Sequence, residues 1–390
     1  MRHVPSIRGN PVFDGIEREF PLLREAAYLN HAASAPLPTR SAAALETYLA
    51  DRRRPDVLYQ AGRQDYDTTP LKAKLGRLLG VEPAAVGFVP TTTDGVAGIL
   101  NGIPWRSGDN VVVPANDFPG VVYACLGLAS RGVEVRRVPV DGHVDLDRVL
   151  DRIDGRTKAV AISHVHWQTG HRIDLARLGA ACRAAGAYSV VDAIQSLGAV
   201  PVSPAEDGID VLVAGTYKWL LGIAGAAVMY VGPRILAEVP PDRLGWAGMR
   251  TSVYAEPEVA LAPDASRFQV GGAPDPVLIP LEHSVELLLE ATPERIFQHV
   301  TGLLDHLVDG LGETGLQIGS DLAPARRSTI LSVTTGERAA DDRLCDAMVA
   351  SGVIVARRGP GIRVAPHLHN RIADIDRLLE AAARTVGAGR

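Results

Sequence analysis

The chain has 390 residues, which is too long for one small core and predicts two domains or one large domain with an appendage. Its formal net charge is −5, with acidic and basic residues mixed along the sequence, so it lacks the basic stripe typical of nucleic-acid-binding proteins. Three cysteines without a CxxC spacing exclude a disulfide framework and a cysteine-rich zinc site.

Two features bear on location. The first twenty residues have no uninterrupted apolar segment after their basic residues, which argues against a secretory signal and favours the cytoplasm. The most apolar stretch, Val211–Val231, contains Lys218 and three glycines. That composition is typical of buried strands separated by turns and differs from a membrane span, so no membrane partner is expected.

Short β-branched segments alternate with helical segments through the middle of the chain. In chain order the predicted strands are Asn110–Pro114, Val133–Val138, Ala159–His164, Ser189–Asp192 and Val211–Ala214. Leu175–Ala185 is predicted to be an intervening helix. Such alternation is typical of parallel βαβ units covered on both faces. The sequence therefore predicts an α/β fold with a mostly parallel central sheet flanked by helices, and ligands at the carboxyl ends of its strands.

The pattern changes after about residue 280. The elements predicted there are a long helical run Leu281–Leu311, a strand Ser328–Thr334, a helix Asp341–Ala350, a strand Val353–Arg357 and a helix Ile372–Val386. They predict a smaller C-terminal α+β domain over residues 281–390, after a large domain at 26–280. Residues 1–25 are expected to pack against the small domain.

A lysine and an aspartate each follow an apolar strand. Burial of Lys218 would lower its pKa and leave a nucleophilic amine, which suits imine formation with a carbonyl cofactor. Asp192, 26 positions earlier, can keep the pyridine nitrogen of pyridoxal 5′-phosphate (PLP) protonated, so that the ring accepts electrons released at a substrate α-carbon. Taken singly, the lysine could instead extend to solvent and the aspartate could cap a helix.

A third feature is a row of hydroxyl side chains. Thr91, Thr92 and Thr93 stand directly before the helical stretch Val96–Leu100. Their hydroxyls and free backbone N–H groups would converge at the positive start of a helix, which is an anion site suited to a phosphate. Threonine-rich helix starts also occur without any ligand, so this feature alone leaves both interpretations open.

Together these motifs resemble the class V aminotransferase and cysteine desulfurase-like family of PLP enzymes, and the resemblance covers nearly the whole chain. Tyr28–Ala33 resembles the family's first motif, and Thr92–Gly95 resembles its phosphate-binding turn. Asp192 and Gln195 match the D-x-x-Q motif that holds the pyridine nitrogen and the phenolic oxygen. Thr216–Lys218 matches the S-x-K segment that carries the Schiff base. The resemblance implies PLP as the cofactor, bound to the lysine of that segment.

The resemblance extends to the faces of the cofactor. Asn116–Pro119 resembles the segment whose aromatic residue stacks on the ring, which here is Phe118. In the loop that contacts the phenolic oxygen, Trp167 replaces the family's frequent asparagine. The resemblance therefore implies that Gln195 carries more of that contact or that Gln168 assists.

Two more contacts to the phosphate are implied. Tyr217 replaces the family's histidine beside the phosphate, next to the hydroxyls of Thr92 and Thr93. Arg267–Gly272 resembles the loop that reaches the phosphate of the partner subunit, but Gly272 replaces the usual threonine and leaves only backbone contacts. The resemblance thus implies a homodimer whose active sites are completed across the interface.

Gly361–Asn370 resembles the strand that binds the substrate carboxylate, with Arg363 as the carboxylate clamp. A planar guanidinium can hold a carboxylate by two parallel hydrogen bonds. The other residues predicted to line the substrate pocket are Asn30, His31 and Trp167. Arg357 and Arg358 either recognise a distal acidic group or are solvated.

The family runs several chemistries on one scaffold, because the cofactor supplies the electron sink and the protein selects the bond that breaks. Sulfur-transferring desulfurases carry a mobile cysteine just before the carboxylate arginine, and Ser351–Ile362 contains none. Cys345 lies earlier, in a predicted helix. The segments 117–119 and 166–170 resemble the epimerase-like and C–S lyase-like branch of the family. That resemblance favours a C–S β-lyase acting on a cysteine S-conjugate, with Lys218 removing the α-proton. Transamination, epimerisation and decarboxylation stay open.

Two hypotheses lie outside this chemistry. The chain could be a PLP-fold protein that has lost catalysis and acts as a binding module, although intact Lys218 and Asp192 argue against it. Metal-dependent hydrolysis could use His164, His166 and His171, but these histidines lack a carboxylate at ligand spacing. No metal is therefore expected.

Overall fold

The computed structural model describes residues 15–61, 66–250, 256, 258–359 and 361–387. Its helices are α1 (Thr39–Asp51), α2 (Pro55–Ala61), α3 (Thr69–Leu79), α4 (Thr92–Gly102), α5 (Pro119–Leu126), α6 (Leu146–Leu150), α7 (Leu175–Ala185), α8 (Pro233–Glu238), α9 (Asp275–Ala291), α10 (Pro293–Gly310), α11 (Arg338–Ala350) and α12 (Ile372–Gly387). Its strands are β1 (Ala27–Tyr28), β2 (Val86–Val89), β3 (Asn110–Pro114), β4 (Glu134–Val138), β5 (Thr157–Ser163), β6 (Tyr188–Asp192), β7 (Val211–Gly215), β8 (Ala227–Val231), β9 (Gln317–Ile318), β10 (Leu331–Thr334), β11 (Val353–Ile354), β12 (Ala356–Arg358) and β13 (Gly361–Val364). Among the described residues, no helix combines the length and the apolar character needed to cross a membrane.

The central sheet has seven strands in the order β2-β8-β7-β6-β5-β3-β4. From β7 through to β4 every pair of neighbours is parallel, whereas β8 runs antiparallel to both β7 and β2. Strands β3, β6, β7 and β8 are buried along their whole length, which explains their continuous apolar sequences. The predicted α/β class with a mostly parallel sheet is confirmed. The sequence did not predict β2 or β8.

A second, smaller sheet lies in the C-terminal part of the chain. It is antiparallel, in the order β12-β13-β10-β9, and α10 and α11 pack against α12 beside it. A two-stranded parallel pair, β1 with β11, joins the start of the described chain to this region. The expected α+β character is confirmed. The predicted boundary at residue 280 falls inside α9, and the division into 1–25, 26–280 and 281–390 stays a prediction.

The predicted helical run Leu281–Leu311 is wrong as a single element, because it breaks at Thr292. Thr292 has a positive φ of 61° and caps α10 by accepting a hydrogen bond from the N–H of Arg295. Pro293 follows as the first residue of α10, a position that suits proline because its missing N–H would be unpaired there anyway. A proline also disfavours helical geometry in the residue before it, so α9 ends at Ala291.

The N-terminal segment contacts two parts of the molecule. Phe20 packs on His369 with ring centroids 4.6 Å apart, and Glu17 pairs with Arg371 at 2.9 Å. Glu19 also pairs with Arg40 of α1 at 2.7 Å. The described part of this segment thus contacts both the C-terminal region and α1, while residues 1–14 lie outside the described chain. The packing of residues 1–25 on a small domain stays a prediction.

Candidate active site

The connection between β7 and β8 carries Lys218, which is only 6% exposed. The Thr216 hydroxyl donates to the backbone carbonyls of Ile223 and Ala226 at the other end of this loop. Leu221 adopts a left-handed φ of 57°, a geometry that costs a branched residue about 1–2 kcal/mol. Ser284 of α9 donates to the Leu221 carbonyl at 2.8 Å and holds this turn. The loop is thus fixed, and a cofactor contact by Thr216 stays a prediction.

Burial controls the ionisation of Lys218 and Asp192. Desolvation lowers the pKa of Lys218 to about 8, against the opposing attraction of Asp192. Desolvation likewise raises the pKa of Asp192 to about 7, and this carboxylate is 2% exposed and accepts the N–H of Ile194 at 2.9 Å. An amine with a lowered pKa is partly neutral near pH 7 and therefore nucleophilic. This pair has the chemistry that an imine-forming carbonyl cofactor with a basic ring nitrogen requires.

Aromatic rings surround the lysine amine. Its Nζ lies 5.8 Å from the ring centroid of Phe118 and 5.7 Å from that of Tyr217. Trp167 meets Phe118 edge to face, with centroids 5.9 Å apart. Phe118 is 36% exposed, so part of its ring surface is free to cover a flat ligand. The structure therefore places Phe118 and Tyr217 beside Lys218 and Trp167 against Phe118, while their contacts with cofactor and substrate stay predictions.

The start of α4 provides an anion site next to this cluster. Thr91 caps the helix by accepting the N–H of Asp94 at 3.0 Å. Thr92 follows, and its buried hydroxyl oxygen has no hydrogen-bond partner among the described residues. A Cβ placed on Gly215 would lie 3.2 Å from that oxygen and 3.2 Å from the Tyr217 ring, so the glycine keeps this corner open. An unpartnered hydroxyl at a positive helix start fits a phosphate.

Thr93 and Gly272, which were also predicted to contact the phosphate, lie in different parts of the structure. Thr93 approaches the start of α5 so closely that a Cβ on Gly120 would be 2.3 Å from its hydroxyl oxygen. Gly272 lines a cavity of about 410 Å³ together with Asp94 and Arg243, beside the start of α4. This places Gly272 near the α4 terminus of its own chain, and its contact with a partner's phosphate stays a prediction.

Gln195 is held in one orientation by two hydrogen bonds. Its Oε1 accepts the indole N–H of Trp219 at 3.0 Å, and its Nε2 donates to the carbonyl of Ala32 at 3.0 Å. A primary amide has a second N–H, which suits one further bond to a phenolic oxygen. Gln168 lies against Gly359, where an added Cβ would be 2.6 Å from its amide carbon. The contact predicted for Gln168 at the phenolic oxygen stays a prediction.

Arg363 on β13 is 2% exposed, and its Nη1 donates to the carbonyl of Trp167 at 2.6 Å. Its Nε is buried without a hydrogen-bond partner among the described residues. Burial, with a smaller effect from Arg358, lowers the pKa of this guanidinium to about 10. A buried cation with an unused donor is an anion site, which supports the predicted carboxylate clamp. Arg357 differs, because it pairs with Asp342.

The motif Tyr28–Ala33 lies beside β13, behind the β7–β8 loop that carries Lys218. Asn30 bridges to Ala365, two residues after Arg363, and its buried Oδ1 has no partner among the described residues. His31 is 0% exposed, its Nδ1 lies 3.2 Å from the Ala365 carbonyl, and its ring is 6.1 Å from that of Trp219. His31 thus belongs to the core behind the lysine loop, and its direct contact with substrate stays a prediction.

The three histidines proposed for metal hydrolysis are spread over two places. His166 lies with its Nε2 3.2 Å from the Asn116 carbonyl, on the side of the lysine. His164 and His171 line a cavity of about 720 Å³ with His143, whose ring stacks on His171 at 5.4 Å. Within the described ranges, no three or more His, Cys, Asp or Glu side chains are placed to hold a metal ion.

Asp117, a buried residue near the carboxyl end of β3, was assigned no role from the sequence. Asp117 follows β3 by three positions and accepts hydrogen bonds from Phe118 and Ser163. A carboxylate just beyond the carboxyl end of a parallel strand is a signal that could have identified it.

The family model for Aminotransferase class-V matches residues 27–378, so the chain belongs to that family. It is 28% identical over 315 residues to the uncharacterized aminotransferase YcbU of Bacillus subtilis, covering 80% of this chain and 82% of that protein. It is 24% identical over 400 residues to a probable cysteine desulfurase of Methanothermobacter thermautotrophicus, covering 96% of this chain and 98% of that protein.

The fold is similar to that of C-DES. The cystine C–S lyase C-DES in complex with cysteine persulfide superposes with a TM-score of 0.84 at 22% identity, covering 93% of this chain and 99% of that chain. A C-DES variant with glycine covalently linked to its PLP cofactor gives a TM-score of 0.85 at 22% identity, over 94% of this chain and 98% of that one. The protein is thus a PLP-dependent enzyme of the class V aminotransferase and cysteine desulfurase-like family.

Proposed function

We propose that the protein is a C–S β-lyase that acts on a cysteine S-conjugate. The proposal rests on a buried amine, Lys218, that lies with Asp192 and Arg363 in one site. The neighbouring hairpin, formed by β12 and β13, has no cysteine. Residues 351–362 contain no thiol, and Cys345 is buried in α11. Sulfur released by this site would leave with the product, because no cysteine on the hairpin can accept it. The similarity in fold to a cystine C–S lyase supports this choice.

Six side chains besides Lys218 would hold the cofactor. When bound, PLP supplies a ring that accepts the electron pair freed at the substrate α-carbon. Asp192 would keep a proton on the ring nitrogen, and Phe118 would cover one face. Thr92, Thr93 and Tyr217 would bind the phosphate at the start of α4. Gln195 would donate its second amide N–H to the phenolic oxygen.

The remaining residues orient the substrate and move its proton. Arg363 would bind the α-carboxylate through Nε and a second guanidinium N–H, which sets the Cα–H bond toward the lysine amine. Lys218 would take that proton on Nζ, since its lowered pKa makes it a base near pH 7. Trp167 and Phe118 would exclude water beside the amine. Overall, an S-substituted cysteine and water would give a thiol, pyruvate and ammonia.

We further propose a cytoplasmic homodimer with shared active sites. Large aromatic side chains are exposed: Trp246, beside Gly272 of the loop predicted to reach the partner, is 52% exposed, and Tyr123 of α5 is 71% exposed. The three cysteines are free thiols, which suits a reducing compartment. Light scattering is expected to give twice the chain mass, and a monomer with full activity would refute the shared site. Fractionation of the source cells would test the compartment.

Product analysis tests the reaction. PLP-loaded enzyme is given an S-substituted cysteine without any keto acid, while pyruvate, free thiol and cofactor form are followed together. Pyruvate and thiol released over many turnovers, and abolished by Lys218→Ala, are expected. Conversion to pyridoxamine phosphate in a single turnover would make the protein an aminotransferase. Absence of both would refute the lyase proposal and leave epimerisation, decarboxylation or a binding role.

A further inference from the structure

We propose that Asp117 is a positioning residue for the reaction, which fixes Phe118 over the cofactor site and places a second negative charge behind Asp192. This inference rests on the PLP site and not on the choice of lyase, because every reaction at that site uses the same ring nitrogen. Phe118, the residue directly before α5, places its ring centroid 5.8 Å from Nζ of Lys218, and Asp192 is the last residue of β6.

Asp117 is held by three donors. It is 4% exposed, and its Oδ1 accepts the backbone N–H of Phe118 at 2.6 Å. Its Oδ2 accepts the backbone N–H of Ser163 at 2.8 Å, and the Ser163 hydroxyl donates to Oδ1. One carboxylate therefore joins the start of α5 to the end of β5. An asparagine could accept at only one of these two positions.

Asp117 lies one strand away from Asp192. Ser163, the last residue of β5, is in register with Asp192 on the neighbouring parallel strand. Side chains of residues in register on adjacent strands point to the same face of a sheet, so the carboxylate that holds Ser163 lies on the Asp192 side. The interaction between the two carboxylates raises the pKa of Asp192, in addition to the effect of burial.

Few other charges face Asp117. The titratable groups that interact with it are His166 from the loop after β5, Asp192 from β6 and the Cys125 thiol from α5. Burial lowers the pKa of His166, which keeps that ring neutral. In the described part of the chain, no lysine or arginine forms an ion pair with Asp117. Burial raises the pKa of Asp117, and the hydrogen bonds from Ser163 and Phe118 oppose that shift. In its ionised form the carboxylate favours a proton on any base beside Asp192.

A control exists at the amino ends of strands β6 and β7 in the same sheet. Asp210 is 5% exposed and accepts the N–H and hydroxyl of Ser189, at 2.9 and 3.1 Å, as Asp117 does for Ser163. Unlike Asp117, it also pairs with Arg234 at 3.1 Å. Asp117→Asn and Asp210→Asn each replace a buried carboxylate that holds a serine of the central sheet, and Asp210→Asn also breaks the ion pair with Arg234. Only Asp117→Asn removes a charge from the cofactor site.

The test is a spectroscopic pH titration of the PLP-loaded protein, without substrate. In Asp117→Asn, the midpoint of the visible absorbance change of lysine-bound cofactor is expected to fall by about one pH unit, since a nearby negative charge stabilises the protonated form. The dissociation constant for PLP is expected to rise about tenfold, and kcat to fall more than KM rises. Asp210→Asn is expected to lower the melting temperature while leaving midpoint and cofactor affinity unchanged.

A wild-type midpoint and cofactor affinity in Asp117→Asn would overturn the proposal and leave Asp117 a purely structural residue. Should that variant fail to fold, Ser163→Ala keeps the carboxylate but removes one donor to it, which raises the pKa of Asp117. A smaller downward shift of the midpoint is then expected, and no shift would overturn the proposal. Because no substrate is used, failure here is distinct from failure of the lyase assignment.

Discussion

Replacing Arg363 by lysine is expected to lower kcat/KM by about tenfold to a hundredfold. The buried guanidinium uses Nη1 on the Trp167 carbonyl and leaves Nε for a ligand. Lysine keeps the charge but cannot bind a carboxylate through two parallel N–H groups while also holding that carbonyl. One charge-assisted hydrogen bond is lost, which is about 1.5–3 kcal/mol. Each 1.4 kcal/mol is about a factor of ten.

The assay is steady-state release of pyruvate from an S-substituted cysteine, with the cofactor absorbance recorded on the same samples. Arg357→Lys is the control, because Arg357 pairs with Asp342 and is expected to change kcat/KM less than threefold. Melting temperatures separate a folding defect from a binding defect. If Arg363→Lys retains kcat/KM within twofold of the wild type, the substrate carboxylate binds elsewhere and the assigned orientation is wrong.

Two further predictions concern stability. Acidification from about pH 6.5 to 4.5 is expected to lower the free energy of unfolding by up to about 3 kcal/mol for each histidine buried like His164 and His367, whose pKa values burial lowers to about 3. These histidines bind protons between the two pH values in the unfolded chain but not in the folded chain, so stability rises with pH. Urea unfolding at pH 6.5 and pH 4.5 measures the difference in free energy. Gly359→Ala is expected to cost about 1–3 kcal/mol and to raise KM, because its φ is 56° and the new Cβ would lie 2.6 Å from the Gln168 amide carbon.

Each has a control. His367→Gln removes one titrating group, so its stability is expected to depend less steeply on acidification, and an unchanged slope would contradict the assignment. Gly336 also has a positive φ, 85°, but nothing lies within 4 Å of an added Cβ. Gly336→Ala therefore bears the backbone strain alone. If both alanine variants raise KM equally, the contact with Gln168 has no part in the effect.

Much of the fold could be predicted because buried parallel strands have continuous β-branched sequences. The strands β3, β5, β6 and β7 were each predicted from such a segment, whereas β4 was predicted from valines interspersed with charged residues. From these strands, the rule that ligands bind at carboxyl ends was enough to select Asp192 and Lys218. Hydrophobic pattern carries no information about strand direction, so the reversal at β8 was not evident. The apolar positions of α9 and α10 continue across Thr292, so the hydrophobic pattern predicts one helix, although Pro293 is a sequence signal for the break.

The parts of the site that could not be predicted depend on side-chain direction. The burial of His31 against Trp219 and the Ala365 carbonyl is one example, and its contact with substrate stays a prediction. Gln168 reaches across to Gly359 on the hairpin, a contact between segments 191 positions apart. Such tertiary contacts leave no local pattern in the sequence.

The chain has four lysines, so the covalent anchor of the cofactor can be identified directly. Lys74 is already paired with Glu282 at 2.6 Å. Lys218 is the candidate because its amine is buried and interacts with Asp192. PLP-loaded protein is reduced with borohydride, digested and mapped by mass spectrometry. The expected result is one pyridoxyl group per chain, on Lys218. Label on Lys72, Lys74 or Lys158, or no covalent label at all, would contradict the assignment of this site.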